Sequence, residues 1–431
     1  MHINKLSAVG SFILSAILAT PALAATTNPQ SEPMLTQSNL VYEGSFQLPN
    51  GSTNQTSFAY TGDGLAYDAA DNSLFITGHS WYQYTAEISI PTPTKAQSIG
   101  ALPTASLIQP LTDALDGNIG QIAPTDTASK SIGGYLVYNG QLIISAFDFY
   151  DASGTQTTSH FSRSLNLSAP NALHGPYRVG TQYPGFVSGY MALIPPEWKS
   201  LFGGPALTGN CCLNIVSVQS NGPSASVFDP SQLGSQSVTP ATPVVGYPYS
   251  EQLSAWASTN NTFNGTTQIT GLAFPAGTSS VLFFGRQGVG TFCYGPGTSN
   301  QSQAGQPADN GADQWCYDPT TGAKGGHAYP YVYQVWEYNA NDLLKVAQGA
   351  EPEYAVKPAS IWTLSLPFTT SSTEISIGGA AYNPDTNEIY LLQRCVGPGC
   401  SSVIDVFKIN IPSNQSPLLQ VPSAPTNTSV N

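Results

Sequence analysis

Charge is scarce in this sequence. Asp, Glu, Lys and Arg together make up 9 % of the 431 residues, a composition that argues against amphipathic helices. Cations are scarcer still: 12 Lys and Arg face 25 Asp and Glu, for a net charge of -13, which argues against nucleic acid or an anionic membrane as partner. Beyond residue 24 no apolar run is long enough to span a bilayer as a helix. No HxxxH or HExxH spacing, no GxSxG in a nucleophile-elbow setting and no P-loop occurs, so neither a zinc site nor a phosphate cradle of those kinds is expected.

Gly, Pro, Asn, Ser and Thr are abundant instead, as in chains of short strands and many loops. One hairpin unit recurs. Gly62–His79 (GDGLAYDAADNSLFITGH) reads as a strand, a polar Asp/Asn turn and a second strand. Ile132–Phe147 (IGGYLVYNGQLIISAF), Ile269–Arg286 (ITGLAFPAGTSSVLFFGR) and Ile377–Arg394 (IGGAAYNPDTNEIYLLQR) repeat it, and VSGYMALI at Val187 is a weaker copy. Third and fourth strands are expected after each hairpin, among them Ala86–Ile90, Phe161–Leu167, Tyr333–Tyr338 and Val403–Ile409. In the unit at Val187, Tyr190–Ile194 is expected to pair with Cys212–Val218. The last unit lacks a fourth strand, whereas Tyr42–Pro49 resembles Trp362–Pro367 and is free to supply it. The pattern predicts an all-β propeller of five four-stranded blades, closed by that N-terminal strand. The two longest intervals between anchor glycines, Gly189 to Gly271 and Gly271 to Gly379, leave room for a sixth or seventh blade.

Met1–Ala24 has the form of a signal peptide: Lys5, an apolar run from Phe12 to Ala19, then Ala-Leu-Ala before Ala25. Residues 25–38 read as a disordered linker, 39–411 as the propeller domain and 412–431 as a disordered tail. The product is expected to be secreted or periplasmic, and a monomer. Six cysteines in an exported chain read as disulfides: Cys395–Cys400 across a Val-Gly-Pro-Gly loop, Cys293–Cys316 across a Gly-rich loop, and a vicinal Cys211–Cys212 bond, with buried thiols or a different connectivity as the alternatives. Asn54, Asn166, Asn264 and Asn300 head glycosylation sequons, which matter only in a host that glycosylates.

In a four-stranded blade the start of the first strand and the end of the second share one face. The long insertions (Asp148–Arg178, Gln287–Tyr331, Cys395–Ser402) fall on that face. So do the four arginines, Arg163, Arg178, Arg286 and Arg394, and the histidines His79, His160, His174 and His327. Asp63 fills a repeat slot held elsewhere by Gly133, Ser188, Thr270 and Gly378, and Asp148 ends a second strand. Two carboxylates across a channel mouth suit general acid and base work on a glycosidic bond, with His79 assisting. Arg286, Arg394 and Arg178 suit an anionic group, and Trp81, Tyr329 and His327 a sugar face. The competing readings for these residues are turn caps, structural salt bridges and ordinary sheet packing.

The segments Gly209–Ser217 (GNCCLNIVS) and Gly325–Leu344 (GGHAYPYVYQVWEYNANDLL) resemble a family of uncharacterised exported bacterial proteins with β-propeller-like repeats. That likeness implies export and brings no activity. The architecture also resembles five-bladed glycan-acting propellers, which hold an acidic residue where Asp63 lies. The expected function is hydrolysis or elimination on an extracellular, acidic carbohydrate, without a cofactor. The alternatives are a glycan-binding or surface-interaction propeller that needs no Asp63, and a lactonase or phosphoesterase whose carboxylates hold calcium.

Overall fold

Second strands with no polar side explain how this chain packs. In Ser73–Thr77 all five side chains are buried; Leu74 and Ile76 enter one core while Phe75 enters another. A sheet covered on both faces needs such continuous apolar runs. The computed structural model describes residues 28–53, 56–211, 218–309, 311–369 and 375–412, and it is an all-β fold of four-stranded antiparallel sheets.

Sheet A comprises Leu65–Asp68, Ser73–Thr77, Thr85–Ser89 and Leu107–Thr112, in that order. Sheet B comprises Lys130–Tyr138, Gln141–Asp148, His160–Ser164 and His174–Tyr177. Sheet C is made of Met191–Leu193, Ala206–Thr208, Ala225–Phe228 and Ala241–Val245. Sheet D is made of Gln268–Ala273, Ser280–Gly288, Tyr331–Asn339 and Ser360–Leu364. Sheet E takes Ile377–Asn383, Glu388–Gly397 and Ser401–Ile409 from the end of the chain and Leu40–Gln47 from its beginning. The N-terminal strand is thus the fourth of the last sheet, in register Leu40↔Ile409 to Gln47↔Val403 with one bulge.

Apolar side chains form five cores, each shared by two sheets. Phe75 meets Ile144 between A and B, Leu136 meets Met191 between B and C, and Leu207 meets Phe283 between C and D. Leu282 joins Leu391 between D and E, and Leu392 joins Leu74 between E and A. The first strands touch in the same order, and that of E touches that of A. The recurrent glycines sit at these approaches. A Cβ on Gly133 would lie 2.1 Å from the Ser188 carbonyl oxygen, one on Gly271 2.6 Å from Ala380 Cβ, and one on Gly379 2.9 Å from Leu65 Cβ. The repeat therefore keeps glycine where neighbouring backbones come too close for a side chain.

Two expectations change. The second strand of sheet C is Ala206–Thr208, not Cys212–Val218, because the helix Pro196–Phe202 follows the first strand and returns the chain earlier, with Trp198 buried beneath it. Residues 212–217 lie outside the described residues. The segment read as a disordered linker is ordered from Asn28: Leu35 is buried in the core between D and E, its N–H bonds to Ser280 Oγ and Glu337 Oε1, and Glu32 accepts from the Trp198 indole. The exits from the third strands of C and D are both Asx caps. Asp229 caps a short 3-10 turn and Asn339 caps the helix Ala340–Ala347.

Candidate functional site

In each sheet the link into the first strand, the connection from second to third and the exit from the fourth lie along one edge. Among the described residues the exposed large aromatics are Tyr60, Trp81, Tyr82, Phe149, Tyr150, Tyr183, Tyr249 and Tyr294. All eight belong to these segments. Rings left in water on one face, while the other described aromatics are buried or half-buried, suit a contact surface. In sheet A they form a group: the His79 ring lies 5.4 Å from Tyr60 and 5.6 Å from Tyr82. His79 Nδ1 accepts the Trp81 N–H at 3.1 Å, and the Trp81 indole stands 85 % exposed.

Asp63 and Arg394 meet at the start of the first strands, where sheets E and A touch. Arg394 Nη1 donates to Asp63 Oδ1 at 3.1 Å, with side-chain exposures of 23 % and 14 %. Gly64 N–H donates to the Gly378 carbonyl at 2.7 Å and Thr77 Oγ1 donates to the Asp63 carbonyl, which pins the carboxyl-bearing residue between two sheets. Burial pushes the Asp63 carboxyl above the ordinary range, and the Arg394 charge and hydrogen bond pull against it. Cys211 Sγ lies 4.0 Å from Asp63 Oδ2, so the loop after the second strand of C reaches the same spot.

The structure does not bring Asp148 there. Asp148 pairs across the hairpin with Lys130, Nζ to Oδ2 at 2.9 Å, and its side chain has no exposure. Arg286 is buried, donates to the Ile375 carbonyl at 3.0 Å and lies 4.8 Å above the Tyr331 ring. Arg178 donates to the carbonyls of Thr157, Gly180, Thr181 and Gln182, and buried Arg163 to those of Ala114 and Leu167. These guanidiniums hold loops together.

The histidines divide likewise. His327 is buried against Asp318 at 2.9 Å, and Tyr331 Oη donates to the same carboxylate. Burial pushes Asp318 up, but the hydrogen bonds from His327, Thr320 and Tyr331 outweigh it and hold the carboxyl at about 2. Tyr329 packs edge-on between Tyr317 and Tyr331. Burial lowers His160 to about 3, its nitrogens facing Ser159 and Thr208 hydroxyls, while His174 is exposed on the outer strand of B. Cys293–Cys316 and Cys395–Cys400 are disulfides. Cys211 is also disulfide-bonded, and Cys212 of the expected vicinal pair lies outside the described residues.

No family model matches the chain, and a search of curated proteins finds no match. Among solved structures it is similar to a glycosyl hydrolase from Bacteroides ovatus at 11 % identity, covering 89 % of this chain and 98 % of that one with a TM-score of 0.40. A GH43 endo-arabinanase from Bacillus licheniformis matches at 10 % identity over 83 % and 95 %, TM-score 0.38. A luciferin-regenerating enzyme matches at 8 % over 82 % and 92 %, TM-score 0.35. Glycoside hydrolases thus recur among the structural neighbours, at scores that assign no activity to this chain.

Sequence reasoning missed three buried acids on third strands. Glu87, Glu337 and Asp405 each face a polar side chain of the fourth strand: Gln109 Nε2 at 2.7 Å, Ser360 Oγ at 2.5 Å and Ser45 Oγ respectively. One acid inside an otherwise apolar strand (AEISI, VWEY, VIDVF) is the signal that announces them. The expected central channel is a cavity of 370 Å³ among Leu65, Leu136, Met191, Leu272 and Ala380, one residue from each first strand. Sequence reasoning missed that its lining extends to the hairpin turns, through Pro195, Ala276 and Pro384, and does not include Asp63.

Proposed function

We propose that the chain is an exported five-bladed β-propeller that acts on an extracellular carbohydrate at its loop-bearing face. Residues 1–24 direct export and residues 39–411 form the single propeller domain. Five sheets packed A to E and back to A support the blade count, as does a cavity lined by all five first strands. The observation that carries the functional reading is the placement of all eight exposed aromatics on the face where Asp63 and Arg394 lie. Aromatic faces stack on the apolar faces of sugar rings, and a partly desolvated carboxyl with a raised pKa is suited to protonate a leaving oxygen. Arg394, whose buried Nε has no acceptor among the described residues, holds Asp63 and presents a guanidinium to an anionic substituent. Arg286, Arg178 and His327 support the loops.

The burial of Asp148 against Lys130 favours a second reading, a glycan-binding propeller without turnover, since two-carboxylate hydrolysis loses one of the expected pair. One experiment separates them. The mature protein is incubated with neutral and acidic polysaccharides while new reducing ends, unsaturated uronate absorbance and retention on each polymer are followed. Trp81→Ala is expected to weaken retention, and Asp63→Asn to abolish product while sparing retention. Retention without product selects the binding module. Unchanged retention in a Tyr60→Ala, Trp81→Ala variant refutes the carbohydrate face.

A further inference from the structure

We infer that the hairpin turn of sheet A holds a calcium ion between Asp68, Asp71 and Glu87. Asp68 closes the first strand, Asp71 lies in the turn, and Glu87 lies on the third strand opposite Phe75. One carboxylate oxygen from each comes within 4.8 Å of the other two. Asp68 and Glu87 are each only 2 % exposed. No Lys or Arg among the described residues pairs with any of the three. Holding like charges this close, two of them buried, without a counter-charge is unfavourable, and a cation relieves it.

A second observation points to the cation. Both Glu87 oxygens have a donor, Oε1 from Ser73 Oγ at 2.5 Å and Oε2 from Gln109 Nε2 at 2.7 Å, and each keeps a lone pair for a cation. Asp68 is less well satisfied. Its Oδ1 accepts the Ala70 N–H at 3.0 Å, while Oδ2 is buried with no hydrogen-bond partner. A buried, charged oxygen without a donor is costly, and a metal ion supplies what the donors do not. The matching hairpin of sheet E argues that the acid is not there for the turn. Asn383 occupies the place of Asp68 and its Oδ1 accepts the Asp385 N–H at 2.9 Å, so a neutral amide suffices.

Ligand chemistry selects the ion. All three donors are carboxylate oxygens, which suit a hard cation. Oxygens up to 4.8 Å apart are bridged by calcium bonds of about 2.3–2.6 Å more readily than by magnesium bonds of about 2.0–2.1 Å. Three protein carboxylates, with water completing the shell, fit affinity on the order of 10⁻⁴ to 10⁻³ M, as in extracellular modules. Bound there, the ion ties the turn to the third strand, away from the carbohydrate face.

The test is a calcium titration of chelator-stripped mature protein by calorimetry, with thermal unfolding alongside and terbium luminescence sensitised by the adjacent Tyr67. One calcium per chain, a higher Tm and weaker binding of magnesium are expected. Asp71→Asn, at an exposed position, should fold and weaken binding by at least about tenfold; Asp68→Asn should abolish it. No heat and an unchanged Tm in millimolar calcium overturn the proposal. Undiminished binding by both variants also overturns it, by locating the ion elsewhere.

Discussion

Asp405 lies on the third strand of sheet E with no solvent exposure. Its Oδ1 accepts from Ser45 on the N-terminal strand and its Oδ2 has no partner. Burial raises its pKa to about 7, with the Ser45 hydrogen bond opposing. Unfolded, the group titrates at about 3.9. Between those values the folded chain holds a proton that the unfolded chain has released, so stability falls as pH rises from about 4 to 7 and then levels off. Three pH units at about 1.4 kcal/mol each give a loss on the order of 4 kcal/mol. Asp405→Asn retains the acceptor for Ser45 and cannot ionise. Its amide leaves Nδ2 unpaired where Oδ2 is, at a cost of about 1 kcal/mol at every pH. Urea denaturation with disulfides intact, run from pH 4.5 to pH 8.5 on both proteins, is the assay. The difference curve removes other titrating groups such as Glu337. The variant should start slightly less stable than the parent and end about 3 kcal/mol more stable. Parallel curves would mean that Asp405 ionises normally, and the reasoning would fail.

Gly189→Ala places a Cβ 2.1 Å from the Asn210 carbonyl oxygen and 2.4 Å from the Cys211 nitrogen. Backbone must move, so a loss of about 2–4 kcal/mol and a lower Tm are expected. Gly120→Ala, with no atom within 4 Å of its Cβ, should change stability by less than about 0.5 kcal/mol. Asp148→Asn removes the nearer carboxylate of the buried Lys130 ammonium, which keeps Asp126 at 3.7 Å and the carbonyls of Asp126 and Ala128, and should destabilise by about 1–2 kcal/mol, leaving any turnover per folded molecule intact. Lost turnover at an unchanged Tm would return Asp148 to the chemistry.

Local patterns carried far. The hairpins at Gly62, Ile132, Ile269 and Ile377 all form first and second strands, because period-2 alternation and Asp/Asn/Gly turns act over a few residues. The weak copy at Val187 yields only the three-residue strand Met191–Leu193, and there the expected partner was wrong. Spacing paired Cys395 with Cys400 across a short loop, and Cys293 with Cys316 followed from that first assignment; both bonds form. Likeness between Tyr42–Pro49 and a known fourth strand located the N-terminal strand in sheet E.

The fate of each charge was decided elsewhere. Asp63 and Asp148 look equivalent as carboxylates beside a repeat, but cross-strand register sets Asp148 against Lys130 while contact between sheets E and A sets Asp63 beside Arg394. Arg286 and Arg178 are consumed by carbonyls up to 89 residues away. Sequence determines strands and turns, whose energetics are local. Burial and pairing depend on which distant backbone arrives opposite each side chain, and only the packed sheets decide that.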